Sequence, residues 1–194
     1  MRTGYDNKSQ RRVYEIFAGE YLAVSENKVI LKTLLGSCIS VCLRDEVSGI
    51  SGINHFMLPG LNMKRGIIES SDARYGMHAM ELLINDMIKR GSRRKYIKAK
   101  VFGGASVLNI NMNDIAYANI RFIKEYLNME GITVVSSDLG GRRGRKIYFL
   151  PDAFTVYLKR IDSVNILRKT INQEKEYYKK LQKENKKSGE ITLF

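Results

Sequence analysis

The chain is 194 residues long, 44% hydrophobic and carries a formal net charge of +13, which suits one domain, or one domain with a tail, and excludes wholesale disorder. So basic a chain is drawn to something acidic, whether nucleic acid, an anionic membrane face or an acidic protein, and charge alone does not choose among them. Met1 to Arg12 is polar, and no stretch approaches the roughly 18 apolar residues of a spanning helix, so a soluble cytoplasmic protein with no signal peptide and no membrane insertion is expected.

Residues 1–12 read as a flexible basic arm, 13–161 as the folded domain and 162–194 as a helical tail. Apolar runs between Tyr21 and Leu35 flank the turn-like Glu26-Asn27 and predict strands before the break at Gly36-Ser37-Cys38. Ile39, Val41 and Leu43 alternate with Ser40, Cys42 and Arg44, the pattern of a half-buried strand. A second extended run, Ile50 to Leu58, ends at Pro59-Gly60, and the polar stretch from there to Ala73 suits a mobile loop near a site. Met77, Met80, Ile84, Met87 and Ile88 form one helical stripe that stops at Gly91; Ile97 to Phe102 is a strand running into Gly103-Gly104. A second helix covers about Asp114 to Met129, and strands follow at Ile132 to Val135, Lys146 to Leu150 and Thr155 to Lys159. This order predicts an α/β protein with a mixed sheet covered by helices. In the tail, Val164, Leu167, Ile171, Tyr178 and Leu181 make a sparse stripe in a run rich in Lys and Glu, an amphipathic helix with a solvated or docking role.

Cys38 and Cys42 are the only cysteines, too few for a disulfide scaffold or a four-thiolate zinc site, and on one strand too far apart to bridge. His55 and His78 lack the close spacing of a zinc ligand pair, so no metal is expected. A cysteine needs a neighbouring base to become a thiolate, and an adjacent imidazole lowers the thiol's pKa. The hairpin between residues 38 and 55 could supply one. With a two-residue loop at Glu46-Val47, Cys38 directly opposes His55; a four-residue loop ending at Gly49 leaves them diagonal on one face; a three-residue loop or a bulge separates them. The plainer reading is a small core cysteine and a satisfied structural histidine. Cys42 has no such partner and reads as packing, and His78 as exposed. Gly103-Gly104-Ala105-Ser106 lacks the residues of a P-loop or dinucleotide fingerprint and reads as a tight turn. The runs Arg93-Arg94-Lys95 and Arg142 to Lys146 lack interleaved aromatics and read as solvated surface, so no nucleic-acid partner is expected.

Leu34-Leu35-Gly36-Ser37-Cys38, Ile53 to Pro59, Arg74-Tyr75-Gly76, Lys100 to Ala105 and Asp138-Leu139-Gly140-Gly141 closing on Gly144-Arg145 together resemble the CheD family of bacterial chemoreceptor glutamine deamidases. The resemblance runs in order over about Glu20 to Arg160 and leaves the arm and tail unexplained. It implies an α/β/α sandwich and a protein-glutamine glutaminase in which Cys38 and His55 hydrolyse glutamine carboxamides on the cytoplasmic domain of methyl-accepting chemoreceptors, with no metal or organic cofactor. The oxyanion would be met by backbone N–H groups near Gly36 to Cys38. A CheC-type phosphatase is the second implied partner, and a non-catalytic adaptor binding receptors or that phosphatase is the rival function. The family's third residue is a Thr six positions before the cysteine; Lys32 stands there and Thr33 one residue later. A protonated lysine can only donate, so Thr33, or a carbonyl of residues 32–33, is expected to hold the His55 ring while Lys32 points to solvent.

Overall fold

A computed structural model describes residues 1–58, 72–106, 112–162, 172 and 174–183. In chain order the elements are β1 (Arg2–Asp6), β2 (Arg11–Glu15), β3 (Tyr21–Val24), β4 (Val29–Leu35), β5 (Ile39–Asp45), β6 (Ser51–Asn54), α1 (Ala73–Lys89), β7 (Ile97–Gly103), α2 (Met112–Met129), β8 (Thr133–Leu139), β9 (Gly144–Leu150) and β10 (Thr155–Ile161). A last helix, α3, covers 174–183. The α/β class is as expected, with the strands divided between two five-stranded mixed sheets. The first sheet has the order β1-β2-β4-β9-β10 and the second β3-β6-β5-β7-β8; β2 runs parallel to β4 and β8 parallel to β7.

The layers run sheet, sheet, helices. On the second sheet Ile39, Val41 and Leu43 face Met80, Leu83, Ile84 and Met87 of α1 and Phe122, Ile123 and Leu127 of α2. From its other face Cys38, Cys42 and Ile53 meet Leu31 and Leu35 of β4 and Ile147 and Phe149 of β9. β5 is therefore buried on both faces rather than half-buried: Ser40 and Cys42 are as inaccessible as Ile39 and Val41. The alternation in its sequence separates two interiors, not an interior from water. In α1 the stripe is shifted slightly from expectation, with Leu83 inward and Ile88 40% exposed. Gly76 lets α2 come close, since a Cβ there would lie 2.3 Å from the Phe122 ring.

Residues 1–12 are not a flexible arm. β1 and β2 pair antiparallel, with Arg2 opposite Glu15 and Asp6 opposite Arg11, and β2 joins the first sheet beside β4. β1 is almost wholly exposed, so it shows none of the apolar periodicity from which strands are read; its order comes from the neighbouring strand. Arg145, expected in a solvated basic run, is also buried. Its guanidinium donates to Asp138 Oδ1 at 2.5 Å and to the Gly140 carbonyl at 2.6 Å, and Asp138 also takes Arg160 at 2.6 Å. The Asp138-to-Arg145 motif thus closes the β8–β9 turn. The expected loop at Pro59-Gly60 and the tail positions Val164, Leu167 and Ile171 lie outside the described residues.

Candidate active site

Cys38 lies where the chain crosses from the first sheet to the second, between β4 and β5. The three carbonyls of this crossing are all tied away from the site: Gly36 O accepts from Ala105 N at 2.8 Å, Ser37 O from Asn119 Nδ2 at 3.0 Å and Cys38 O from Gly104 N at 2.8 Å. Asn119, fully buried on α2, is itself fixed by Leu58 N donating to its Oδ1 at 2.8 Å. Gly103, at φ +118°, lies so near that a Cβ there would sit 2.1 Å from the Cys38 carbonyl oxygen. The Gly103-Gly104-Ala105 turn therefore serves to brace the cysteine's backbone. With the carbonyls held outward, the N–H groups of Gly36 and Ser37 point into the pocket beside the thiol.

The β5–β6 hairpin has the four-residue loop, Glu46 to Gly49. Gly49 takes φ +76° and donates to Asp45 O at 2.9 Å. Cys42 faces Ile53, and a bridge between Ile39 and Phe56 carries the same register onward, so Cys38 and His55 are diagonal neighbours on the face that meets the first sheet. From that sheet comes Thr33. Its Oγ1 lies 2.9 Å from His55 Nδ1 and donates to the Ile16 carbonyl at 2.7 Å. Since the hydroxyl proton is used on Ile16, the network assigns the imidazole proton to Nδ1 and leaves Nε2 with a free lone pair. Nε2 is buried and, among the described residues, has no hydrogen-bond partner. Lys32 lies on the outer face of β4, half-buried, 3.6 Å from Glu15 Oε2 rather than in open solvent.

The pocket holds one residue that sequence reasoning missed. Glu174, on α3, is 1% exposed. Its Oε1 accepts from Gly36 N at 2.8 Å, and its Oε2 from Ser37 N at 3.1 Å and Ser37 Oγ at 3.0 Å. The Cys38 Sγ lies within 4.8 Å of the carboxylate, and Oε1 is 4.0 Å from His55 Nε2. A lone Glu in a run of Lys and Glu reads as solvated; only its spacing of four and seven from Tyr178 and Leu181 hinted at an inward position.

Electrostatically this is a resting site. Burial, and then the Glu174 carboxylate, push the Cys38 thiol well above its usual range, the reverse of the lowering expected from an adjacent histidine. Burial lowers His55 to about 4, so both are neutral near pH 7. Burial also raises Glu174, against the opposing pull of its N–H donors. Cys38 Sγ, a His55 ring nitrogen and a Glu174 oxygen lie within 4.8 Å of one another, a donor set of metal-ligand type. Both carboxylate oxygens there are already engaged by Gly36 and Ser37.

A profile of the family described as CheD chemotactic sensory transduction matches residues 57–160. The chain is 40% identical, over 192 residues, to a protein of Herminiimonas arsenicoxydans named "Probable chemoreceptor glutamine deamidase CheD", covering 98% of this chain and 93% of the relative. The chain belongs to the CheD family. Two CheD relatives from Shewanella oneidensis bear the same name with the suffixes 1 and 2. They are 40% identical over 98% of this chain and 91% of the relative, and 45% identical over 79% of each. Among solved structures, the hypothetical protein YfiH of Bacillus licheniformis aligns with 69% of this chain and 61% of that chain, at 14% identity and a TM-score of 0.36, too low to carry an argument. The Gly103-Gly104 and Asp138-to-Arg145 blocks lie within the matched residues, and their contacts here shape the backbone. Cys42 is buried and free, and His78 is exposed on α1; neither joins the site.

Proposed function

We propose that the chain is a protein-glutamine glutaminase that converts selected glutamines of methyl-accepting chemoreceptors to glutamate, with Cys38 as nucleophile, His55 as base and Thr33 as its positioning partner. The observation that carries this is the unpartnered Nε2 of His55, buried beside Cys38 and two inward backbone N–H donors. His55 Nε2 takes the thiol proton, and the thiolate attacks the carboxamide carbon. The oxyanion is met by the N–H groups of Gly36 and Ser37. As the tetrahedral intermediate collapses the C–N bond breaks, and ammonia leaves with the proton held on His55. Water, deprotonated by His55, then attacks the thioester, releasing glutamate and restoring the thiol. A neutral carboxamide in place of the Glu174 carboxylate removes the negative charge that opposes thiolate formation.

The charge of +13 suits an acidic helical substrate whose negative charge grows with each deamidation. The work would take place in the cytoplasm, where receptor signalling helices lie. Among the described residues no helix is long and apolar enough to cross a membrane. The CheC-type phosphatase is a further expected partner, and the expected unit 13–161, extended by the β1–β2 hairpin that joins its first sheet, would be catalytic, with 162–194 as an attached tail. Incubating the protein with a receptor cytoplasmic fragment tests the reading. Ammonia release and the amide-to-acid mass gain on glutamines are expected; neither, under conditions where the fragment binds, refutes it and favours the adaptor.

A further inference from the structure

The acid in the pocket is not placed as a catalytic residue would be. An orienting acid would sit at His55 Nδ1, and Thr33 already holds that position. Glu174 instead lies on the Nε2 side, against the thiol, with both oxygens on the donors of Gly36 and Ser37. This is the place where a substrate side-chain carbonyl must sit for Cys38 to reach it. Among the described residues His55, neutral here, is the one basic group within ion-pair distance. A carboxylate buried without a cation is costly unless donors replace its water, and the donors that do so belong to the reaction site.

The rest of α3 is built to hold that acid in place. Glu174, Tyr177, Tyr178 and Leu181 follow one helical face. Leu181 is buried, and both tyrosines pack on the inter-sheet core. The Tyr177 ring lies against Gly19, where a Cβ would come within 2.6 Å of it. Lys175, Glu176 and Lys179 on the opposite side are exposed. Beside the helix is a cavity walled on one side by Tyr177, Lys180 and Leu181 of α3 and otherwise by Glu20, Tyr21, His55, Tyr75 and Leu82 among others, so α3 closes one wall of the space next to His55.

From this geometry we propose that α3 is a built-in mimic of the deamidated product: it covers the substrate surface with a helix and fills the acyl pocket with the Glu174 carboxylate, so the chain rests closed until a receptor helix displaces its own. The proposal rests on the Cys38–His55 reading above and extends it. The surface on which Tyr177, Tyr178 and Leu181 dock takes a helix, so the glutamine that reacts is presented from a helical segment with large apolar or aromatic side chains three to seven residues beyond it.

Glu174→Gln in the full chain is the sharpest test, because it places a carboxamide where the product acid now lies. The peptide containing residue 174 should gain the mass of amide-to-acid conversion during incubation, and should not in the Cys38→Ala/Glu174→Gln double variant. Glu174→Ala should raise both the alkylation rate of Cys38 and receptor deamidation roughly tenfold or more, with the buried Cys42 as the internal check that the fold is intact. Leu181→Asp, remote from the thiol, should act in the same direction. If the carboxamide introduced by Glu174→Gln stays unconverted while the same preparation deamidates receptor, and Cys38 alkylates equally in wild type and Glu174→Ala, the mimic is refuted and the deamidase stands. If Cys38 opens in Glu174→Ala yet no variant converts either the introduced carboxamide or receptor glutamines, the occlusion stands and the deamidase reading falls.

Discussion

His55 Nδ1 and Thr33 Oγ1 lie 2.9 Å apart, and the hydroxyl donates its hydrogen bond to the Ile16 carbonyl at 2.7 Å. This relay holds the imidazole as the Nδ1 tautomer, with its basic nitrogen toward Cys38. Thr33→Val should leave two buried polar groups unpaired, costing roughly 1–3 kcal/mol of stability. It should lower kcat on receptor fragment about tenfold or more with little change in KM, whereas Thr33→Ser should retain most turnover. Equal kcat in wild type and Thr33→Val would remove Thr33 from the site.

Cys38→Ala should abolish deamidation and leave the fold intact, because little volume is vacated. Cys42→Ala, at the same depth in the inter-sheet core, should keep activity while losing about 1 kcal/mol of stability. Mass analysis of the receptor product and urea melts of both variants check the pair.

Asn119 spans Leu58 N and Ser37 O from inside α2. Asn119→Ala should cost about 2–4 kcal/mol by stranding both groups, and should slow turnover beyond any loss of folded protein as the Ser37–Cys38 peptide loses its anchor. Asn119→Asp keeps the acceptor for Leu58 but loses the donor to Ser37, so partial stability with poor activity is expected. Comparing urea midpoints with initial rates separates the two effects.

Burial lowers His55 from 6.5 to about 4. Between those values the unfolded chain takes up a proton that the folded chain refuses, so stability falls as pH drops from 6.5 toward 4 and is complete above that window. The contribution is about 3 kcal/mol at most. The urea midpoint of wild type should fall between about pH 7.5 and about pH 4.5 by more than that of His55→Gln, which cannot titrate. Parallel curves would show that His55 is solvated in the folded chain.

Most of the candidate site's geometry could be read from residue order because it depends on local rules. The Gly49 turn limits the hairpin to a few registers, and the observed one keeps Cys38 and His55 on one face. Thr33 follows from the inward parity of β4. What escaped was set by tertiary context. Asn119 looks like an ordinary helical amide until its two partners, far away in sequence, are seen. Glu174 looks solvated until α3 is docked, and the docked acid reverses the thiol pKa that the Cys–His pair alone suggests. The β1–β2 hairpin escaped because its order comes from β4 rather than from its own side chains.

The crossing of the chain between its two sheets also bears on how such proteins can be recombined. Thr33 belongs to one sheet, His55 to the other, and Cys38 to the link between them. Any sliding of one sheet over the other therefore changes the Thr33–His55 distance directly. A chimera that takes one sheet from a relative and keeps the other from this chain would have to preserve the layer around Leu31, Ile53, Ile147 and Phe149 as a unit. Segments that look interchangeable by their motifs are bound together by that shared layer, so the smallest portion that can be exchanged with catalysis intact is the whole sandwich.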